Sequence, residues 1–336
     1  MSRTRFNFPI PSVGYDEVLS HVHSGPLLSS AIRPSTQQLY ETAAAKFISY
    51  YARVPDAYCH VSHIDQYLSY YLTYMYLSKT HHIGHANNTL FGLIHLMPDL
   101  KDKLPAARRC LKGWKKTKET KSHPPMSWDL CCLLAIQLCS AGWYAEGLAV
   151  LIMYDGYFRI NELLRLKVRH MYVDHSSSLV GRVATYLCRL KETKTGRNKL
   201  VTLTRPELGS HLISFLRLRT KSPSDYLFDF TPQQFRHRFK LGCSMLNWSA
   251  VKFVPHSLRH GHASDDFIAG VPIETILVRG RWASINSTRN YIQAGRVHLI
   301  RNRLSAHLPL LHDSSPTVVL GLMSNVYVDF EYSLSQ

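Results

Sequence analysis

The sequence predicts a mainly α-helical protein of two domains, with one small antiparallel β-sheet in the second. Three observations lead there. At 336 residues the chain is long enough to bury two separate cores. Apolar residues recur at helical intervals through most of its length. Strand-like runs are confined to 168–203, where VRHMYVD, VATYLCRL and NKLVTL follow one another.

Residues 1 to about 30 hold Pro9, Pro11, Gly14, Gly25 and Pro26 and read as a loose N-terminal arm. Regular structure is expected from Pro34-Ser35, a helix start. Leu39, Ala43, Phe47 and Tyr51 then mark one apolar face, and after Ser62 a second helix turns Ile64, Leu68, Tyr71, Leu72 and Met75 inward. Further helices are expected over 86–97 and 105–116. The last, LPAARRCLKGWKK, puts Ala107, Leu111 and Trp114 inside and Arg108, Arg109, Lys112, Lys115 and Lys116 mostly outside. These five cations on one element suit DNA phosphates, with a merely solvated face as the competing reading. Tyr67, Tyr70, Tyr71, Tyr74 and Tyr76 read as core packing rather than base stacking, because their spacing is helical. The first domain is therefore a small all-α unit over 31–121.

KKTKETKSHPPMS is charged, polar and closed by Pro124-Pro125, which cannot continue a helix, so the boundary is placed near residue 122. The second domain, 122–312, begins with a helix capped by Ser127 through LCCLLAIQL, then another over 143–155. Gly156 marks a turn, Arg159 to Leu166 a short helix, and VRHMYVD a strand. VATYLCRL and NKLVTL form a hairpin around KETKTGR. Helices are expected again at 207–219 and 232–246. Beyond Tyr291, Leu299, Ile300, Leu304 and Leu308 give a partial apolar stripe, which can pack on its own domain. The tail 313–336 has no assignment.

Forty Lys and Arg against 23 Asp and Glu give a net charge of +17, with an isoelectric point near 9.6. That points to a polyanionic partner, nucleic acid ahead of membrane. No apolar run approaches the ~18 residues of a membrane span. The polar, proline-broken start lacks a signal-peptide core. The seven cysteines are odd in number and several sit inside apolar helical runs, so they read as reduced, buried thiols of an intracellular protein. Among 19 histidines there is no metal motif; His81, His82 and His85 read as a solvated loop, and neither metal nor small-molecule cofactor is expected.

The richest chemistry lies in His256–Tyr291, HSLRHGHASDDFIAGVPIETILVRGRWASINSTRNY. His256 and Arg259 stand three apart and share a helix face. An Arg fork matches phosphate oxygens, and His moves protons near neutral pH. Trp282 follows, and Tyr291 comes nine residues after it. A phenol beside cations suits covalent attack on a phosphodiester. Two upstream pieces complete the set: Arg159 in GYFRINELL, and Lys194 in TKTG at the hairpin tip, with Lys191 in reserve. Glu162 stands one turn after Arg159 and can pair with it.

Taken in order, these boxes resemble the tyrosine recombinase (phage integrase) family. RINELLRL before a strand is similar to the family's first arginine motif, HSLRHGHAS to its H-x-L-R-H box, and GRWASINSTRNYI to its final segment, with Trp at the His-or-Trp position as in Cre. The resemblance covers about 127–295 and extends to 33–116, where PSTQQLY resembles the start of the family's core-binding helical domain. It implies a C-shaped clamp on duplex DNA, acting as a homotetramer on two sites, inside the cell and with no metal. Arg159 and Arg259 would clamp the non-bridging oxygens, and Tyr291 would attack phosphorus to give a 3′-phosphotyrosyl link. His256 would take the phenolic proton or hydrogen-bond the phosphate. Lys194 would protonate the departing 5′-oxygen, Trp282 would pack and contact phosphate through its indole N–H, and Glu162 would hold an active-site cation or the His. The apolar stripe beyond Tyr291 would dock on a neighbouring protomer. His260 and His262 add imidazoles that can be structural. The same set serves type IB topoisomerases, and a domesticated DNA-binding protein would keep the fold without the chemistry. A mobile element, whether phage, plasmid or transposon, is the expected source, with a lean toward a eukaryotic one; the protein would act in the nucleus if eukaryotic and in the cytoplasm or nucleoid if prokaryotic.

Overall fold

The computed structural model describes residues 32–54, 60–79, 81–117, 122–174, 185–193, 196–219, 222–304 and 313–334. The arm expected at 1–30 and Lys194 lie outside these residues. The chain divides into two compact units, Met1–Lys121 and Ser122–Gln336.

The first unit contains α1 (Pro34–Tyr51), α2 (Val61–Leu77), α3 (Ile83–Leu96) and α4 (Pro105–Thr117), and no strand among the described residues. Its core is built from Phe47, Ile64, Leu68, Leu72, Leu90 and Leu111. The inner face of α1 is Ala44, Phe47 and Tyr51; Leu39 is 56% exposed. A strict four-residue step drifts about 40° per repeat around a helix of 3.6 residues per turn, which carries Leu39 off the core side. Tyr71 and Trp114, expected inside, are half-buried. The buried Asp65 carboxylate accepts from Ala106 N at 2.8 Å and Ala107 N at 2.9 Å. It thereby caps the positive end of α4 and fixes which side of that helix faces water. Arg109, Lys112, Lys115 and Lys116 are exposed there. Arg108 departs from the expected row: it is half-buried and its guanidinium donates to the Lys101 carbonyl. The His81–His85 region is also more ordered than a loop, since the His82 ring accepts from Gly84 N at 3.1 Å and caps α3.

The second unit is organised around α5 (Trp128–Ser140) and α6 (Tyr144–Asp155). Nearly every residue of α6 is buried, as expected for a helix without a polar face. Around this pair stand α7 (Ile160–Leu163), β1 (Met171–Asp174), β2 (Thr185–Thr193), β3 (Gly196–Thr202), α8 (Pro206–Leu218) and α9 (Pro232–Met245). They are followed by α10 (His256–Ile268), α11 (Ile273–Gly280), α12 (Ile285–Arg289), α13 (Ala294–Leu304) and α14 (Pro316–Leu334). The sheet is antiparallel in the order β1-β2-β3, with Met171 opposite Cys188 and Cys188 opposite Val201.

Four local expectations are corrected. VRHMYVD is a strand only from Met171, because Val168–His170 forms a 3₁₀ turn in which the His170 ring accepts from Lys167 N. The hairpin ladder runs through most of KETKTGR, reaching the Thr193–Gly196 pair, since backbone pairing does not require apolar side chains. Ser127 occupies the N-cap of α5 without a side-chain cap; Asp265 accepts from Trp128 N instead, at 2.9 Å. The unassigned tail is α14, which buries Val319, Leu320 and Met323 in the main core. Its start is pinned where Trp128 Nε1 donates to Ser314 O at 2.7 Å.

The stripe beyond Tyr291 also differs from its reading. Val297, Ile300 and Leu304 are the buried residues of α13, so that face is used within the unit. Leu299 is exposed, and Leu308 lies outside the described residues.

One backbone approach holds the site helix in place. Met126 N donates to Ser257 O at 3.0 Å, and a Cβ at Gly261 would stand 1.6 Å from Met126 O. Gly261→Ala must therefore push α10 off the incoming chain. We expect a destabilisation of about 3 kcal/mol or more, read as a lower denaturant midpoint; an unchanged midpoint would contradict this packing.

Candidate active site of the second unit

Three elements build the site: a chain reversal after α6, α10 itself, and a second chain reversal after α11. The first follows α6, where Tyr157 takes a left-handed φ of 50° and turns the chain toward Arg159. Arg159 is not inside the short helix but at the N-cap of α7. The Glu162 carboxylate returns to it, with Oε1 2.6 Å from Arg159 Nη1 and Oε2 3.0 Å from Arg159 N. The intrahelical ion pair read from the spacing is thus present.

The second element is α10 itself, whose first turn presents His256 and buries Arg259 completely. The Arg259 guanidinium donates to the carbonyls of Tyr157 and Gly280 and has no carboxylate partner of its own among the described residues. Its carbon lies 4.7 Å from the Trp282 ring centre and 5.5 Å from that of Tyr291.

The third element is the reversal that ends α11. Arg281 is left-handed, with φ 55°, and swings Trp282 under the site. After α12 the chain delivers Tyr291. Its hydroxyl is 3.3 Å from His256 Nε2 of the same chain. Its ring packs on Trp282 at 4.6 Å and stacks on His260 at 4.5 Å and 21°. Of the predicted set, the structure therefore gathers Arg159, Glu162, His256, Arg259, Trp282 and Tyr291. Lys194 and the side chains of Lys191 and Lys199 lie outside the described residues. The basic residues of α4 belong to the first unit and are not part of this cluster.

Several participants escaped the sequence reading. Arg281 is buried; its Nη2 donates to Glu162 Oε2 at 2.8 Å and to Tyr157 O at 2.8 Å, and its Nη1 to Gly156 O at 3.2 Å. Gln293, two residues past Tyr291, donates its amide to His260 Nδ1 at 2.9 Å and to Ser122 Oγ at 2.6 Å. Below them, His262 stacks between Tyr154 and Tyr157 at 4.6 and 4.2 Å. Asp266 accepts from the Tyr157 hydroxyl at 2.7 Å and from Arg279 at 2.8 Å. His260 and His262 are both legible in the sequence as imidazoles near the site, whereas Arg281, Gln293 and Asp266 have no local signal. His262 is settled as structural, because its Nδ1 is tied to Tyr154 O at 2.8 Å.

Electrostatics sharpen the picture. Arg159, Arg259 and Arg281 repel one another around a single carboxylate, Glu162. Burial first, then the Arg159 and Arg281 charges, pull the Arg259 guanidinium below its ordinary value. Arginine does not give up its proton in proteins, so the cluster keeps an excess of positive charge. Burial pushes Glu162 up, yet Arg281, the Arg159 amide and the Arg159 charge outweigh it and keep Glu162 ionised. Burial, His260 and Arg259 lower His256 to about 4, and burial, His123 and Arg259 lower His260 to about 4. Both rings are neutral at pH 7, so His256 can accept a proton from the hydroxyl that faces it. No group of three or more His, Cys, Asp or Glu able to hold a metal ion occurs among the described residues.

A pH prediction follows. The unfolded chain binds protons at these imidazoles near 6.5 and the folded one only near 4. Their contribution is complete above about 6.5 and is lost as pH falls toward 4, since the unfolded state binds more protons throughout that window. Each ring contributes at most roughly 3 kcal/mol, less to the extent that it meets water. The thermal midpoint should drop steeply from pH 7 to 4.5, and His260→Phe, which keeps the stack on Tyr291, should flatten that drop.

The second unit thus assembles arginines, a neutral imidazole, an indole and a phenol at one point. Residues 136–297 match the model of the phage integrase family. In fold the chain is similar to a XerH site-specific recombinase in a post-cleavage complex with palindromic difH substrate. That match has TM-score 0.54 and 16% identity, over 80% of this chain and 78% of the other. A Tn1549 transposon integrase in complex with transposon right end DNA gives TM-score 0.56 and 13% identity, over 86% and 98%. At such identities the likeness is one of fold. No curated protein sequence matches the chain significantly. Among the described residues no helix is long and apolar enough to cross a membrane.

Proposed function

We propose that the protein is a site-specific DNA recombinase or integrase of a mobile element, cutting and rejoining duplex DNA through a 3′-phosphotyrosyl intermediate. The observation that carries this is the Tyr291 hydroxyl, 3.3 Å from a neutral His256 and beside the buried Arg259. Arg159 and Arg259 bind the non-bridging oxygens of the scissile phosphate, where negative charge grows during in-line attack. The phenolic proton passes to His256 Nε2 as the Tyr291 O–P bond forms and the P–O5′ bond breaks. Lys194 protonates the departing 5′-oxygen. Attack by a 5′-hydroxyl of a second strand reverses these transfers, so the bond energy is kept and no nucleotide cofactor is consumed. Trp282 packs beneath Tyr291 and offers its indole N–H to the phosphate. The exposed Arg109, Lys112, Lys115 and Lys116 of α4 bind the DNA backbone, with Arg108 contributing less because it is turned onto Lys101. Two bound sites brought together make the active assembly a tetramer.

The test is to incubate the purified protein with sheared DNA of its own genome, trap covalent complexes in detergent and sequence the attached ends. Recovery of one junction sequence supports recombination. Scattered ends with relaxation of any supercoiled plasmid would favour a type IB topoisomerase, and no adduct would leave a binding protein. Binding to the recovered duplex should weaken steeply with salt. Replacing Lys112, Lys115 and Lys116 with Ala should lower the slope of log affinity against log salt by about 0.9 for each phosphate that is no longer neutralised, measured by fluorescence anisotropy. An unchanged slope would remove α4 from the interface.

A further inference from the structure

Glu162 serves two arginines, and their guanidiniums do not compete for the same oxygen, although the Arg159 backbone N–H also reaches Oε2 at 3.0 Å. Oε1 is 2.6 Å from Arg159 Nη1, while Oε2 is 2.8 Å from Arg281 Nη2. The Arg281 side chain is 4% exposed and that of Arg159 23%. The deeper pair attracts more strongly because less water screens it. Arg281 also donates to Gly156 O and to Tyr157 O, the carbonyl that Arg259 shares. It thus braces the turn from which Arg159 emerges. All this comes from a residue held at a left-handed φ of 55°, a conformation that side chains other than glycine adopt uncommonly. Such a residue persists only where the surrounding contacts hold it.

Building on the recombinase reading, we propose that Arg281 is a positioning residue for Arg159. It draws off half of the Glu162 carboxylate, so that Arg159 keeps net positive charge and a free edge for the scissile phosphate. Without Arg281, both oxygens of Glu162 would close on Arg159 as a bidentate pair. The guanidinium would then be neutralised and turned away from the DNA. Arg281 itself does not touch the phosphate; its effect travels through Glu162.

The experiment uses the full chain and a nicked duplex carrying the junction recovered by trapping. It measures single-turnover adduct formation, duplex affinity and thermal midpoint for wild type, Arg281→Met, Arg281→Lys, Glu162→Gln and the Glu162→Gln/Arg281→Met pair. Arg281→Met should form adduct roughly 10²-fold more slowly, the scale of a misplaced reacting group, with affinity within about twofold of wild type, since α4 carries most of the phosphate contacts. Arg281→Lys should fall between, because an ammonium cannot reach three acceptors in a fork. The decisive outcome is rescue: the double variant should return to within about threefold of Glu162→Gln alone, because a neutral amide no longer neutralises Arg159. A double variant as slow as the product of both singles, or an Arg281→Met rate equal to wild type, overturns the proposal. If Arg281→Met fails to fold, the Lys variant and the charge-balanced double variant still decide it. Wild type without adduct would sink the recombinase reading, whereas adduct without rescue sinks only the role of Arg281.

Discussion

On the proposed recombinase reading, Tyr291→Phe should abolish the covalent protein–DNA adduct and leave duplex binding and folding close to wild type. The ring is what the fold uses: it packs on Trp282 and His260 at 4.6 and 4.5 Å, and phenylalanine keeps both contacts. The hydroxyl makes a single 3.3 Å contact, with His256 Nε2. Its loss costs at most about 1 kcal/mol of stability. Yet among the described residues no other hydroxyl or thiol is hydrogen-bonded to the His256 imidazole, so the chemistry should stop rather than slow. Gel separation of the trapped complex and a binding titration on the same duplex check both halves. Adduct formed by the Phe variant would assign the attack to a different residue.

Arg159→Ala should reduce adduct formation by roughly 10²- to 10³-fold, the usual effect of removing one preorganised donor to a developing oxyanion. Arg159 is the better of the two clamping arginines for this test. Arg259 is completely buried and donates to two carbonyls, so truncating it would take the donor from Gly280 O and open a cavity, damaging the fold along with the chemistry. The Arg159 guanidinium is partly exposed and pairs with Glu162 alone among the hydrogen bonds described. Arg281 keeps Glu162 partnered when Arg159 is gone. The thermal midpoint should therefore move little while the rate collapses. A variant that cleaves at the wild-type rate would exclude Arg159 from the reacting phosphate.

What could be read from the residues and what could not follows the range of the forces involved. His256 with Arg259, and Arg159 with Glu162, are i,i+3 relations that local geometry imposes wherever a helix or its cap forms. Tyr291 after Trp282 was legible from interval and resemblance together. The helices around Leu68 and Leu138 declare themselves by periodicity. By contrast, Arg281 meets Glu162 across 119 positions of sequence and only after two left-handed turns form. No window of residues carries that information. The tail is similar: α14 has no assignment from sequence because its small and apolar residues alternate without a clear stripe. Burial of Val319, Leu320 and Met323 against the main core decides its state. Gln293 illustrates the same limit at closer range, since its partners Ser122 and His260 are far from it in the chain and polar like any surface residue.

The central claim is that one phenol, placed by the fold beside a neutral imidazole and two guanidiniums, becomes joined to a DNA 3′-end. The most direct measurement is mass spectrometry of the trapped complex after nuclease and protease digestion. We predict a single modified peptide, spanning Tyr291 and carrying the remnant nucleotides through a 3′-phosphate. Remnants on another residue, linkage through a 5′-phosphate, or unmodified peptide throughout would contradict the account.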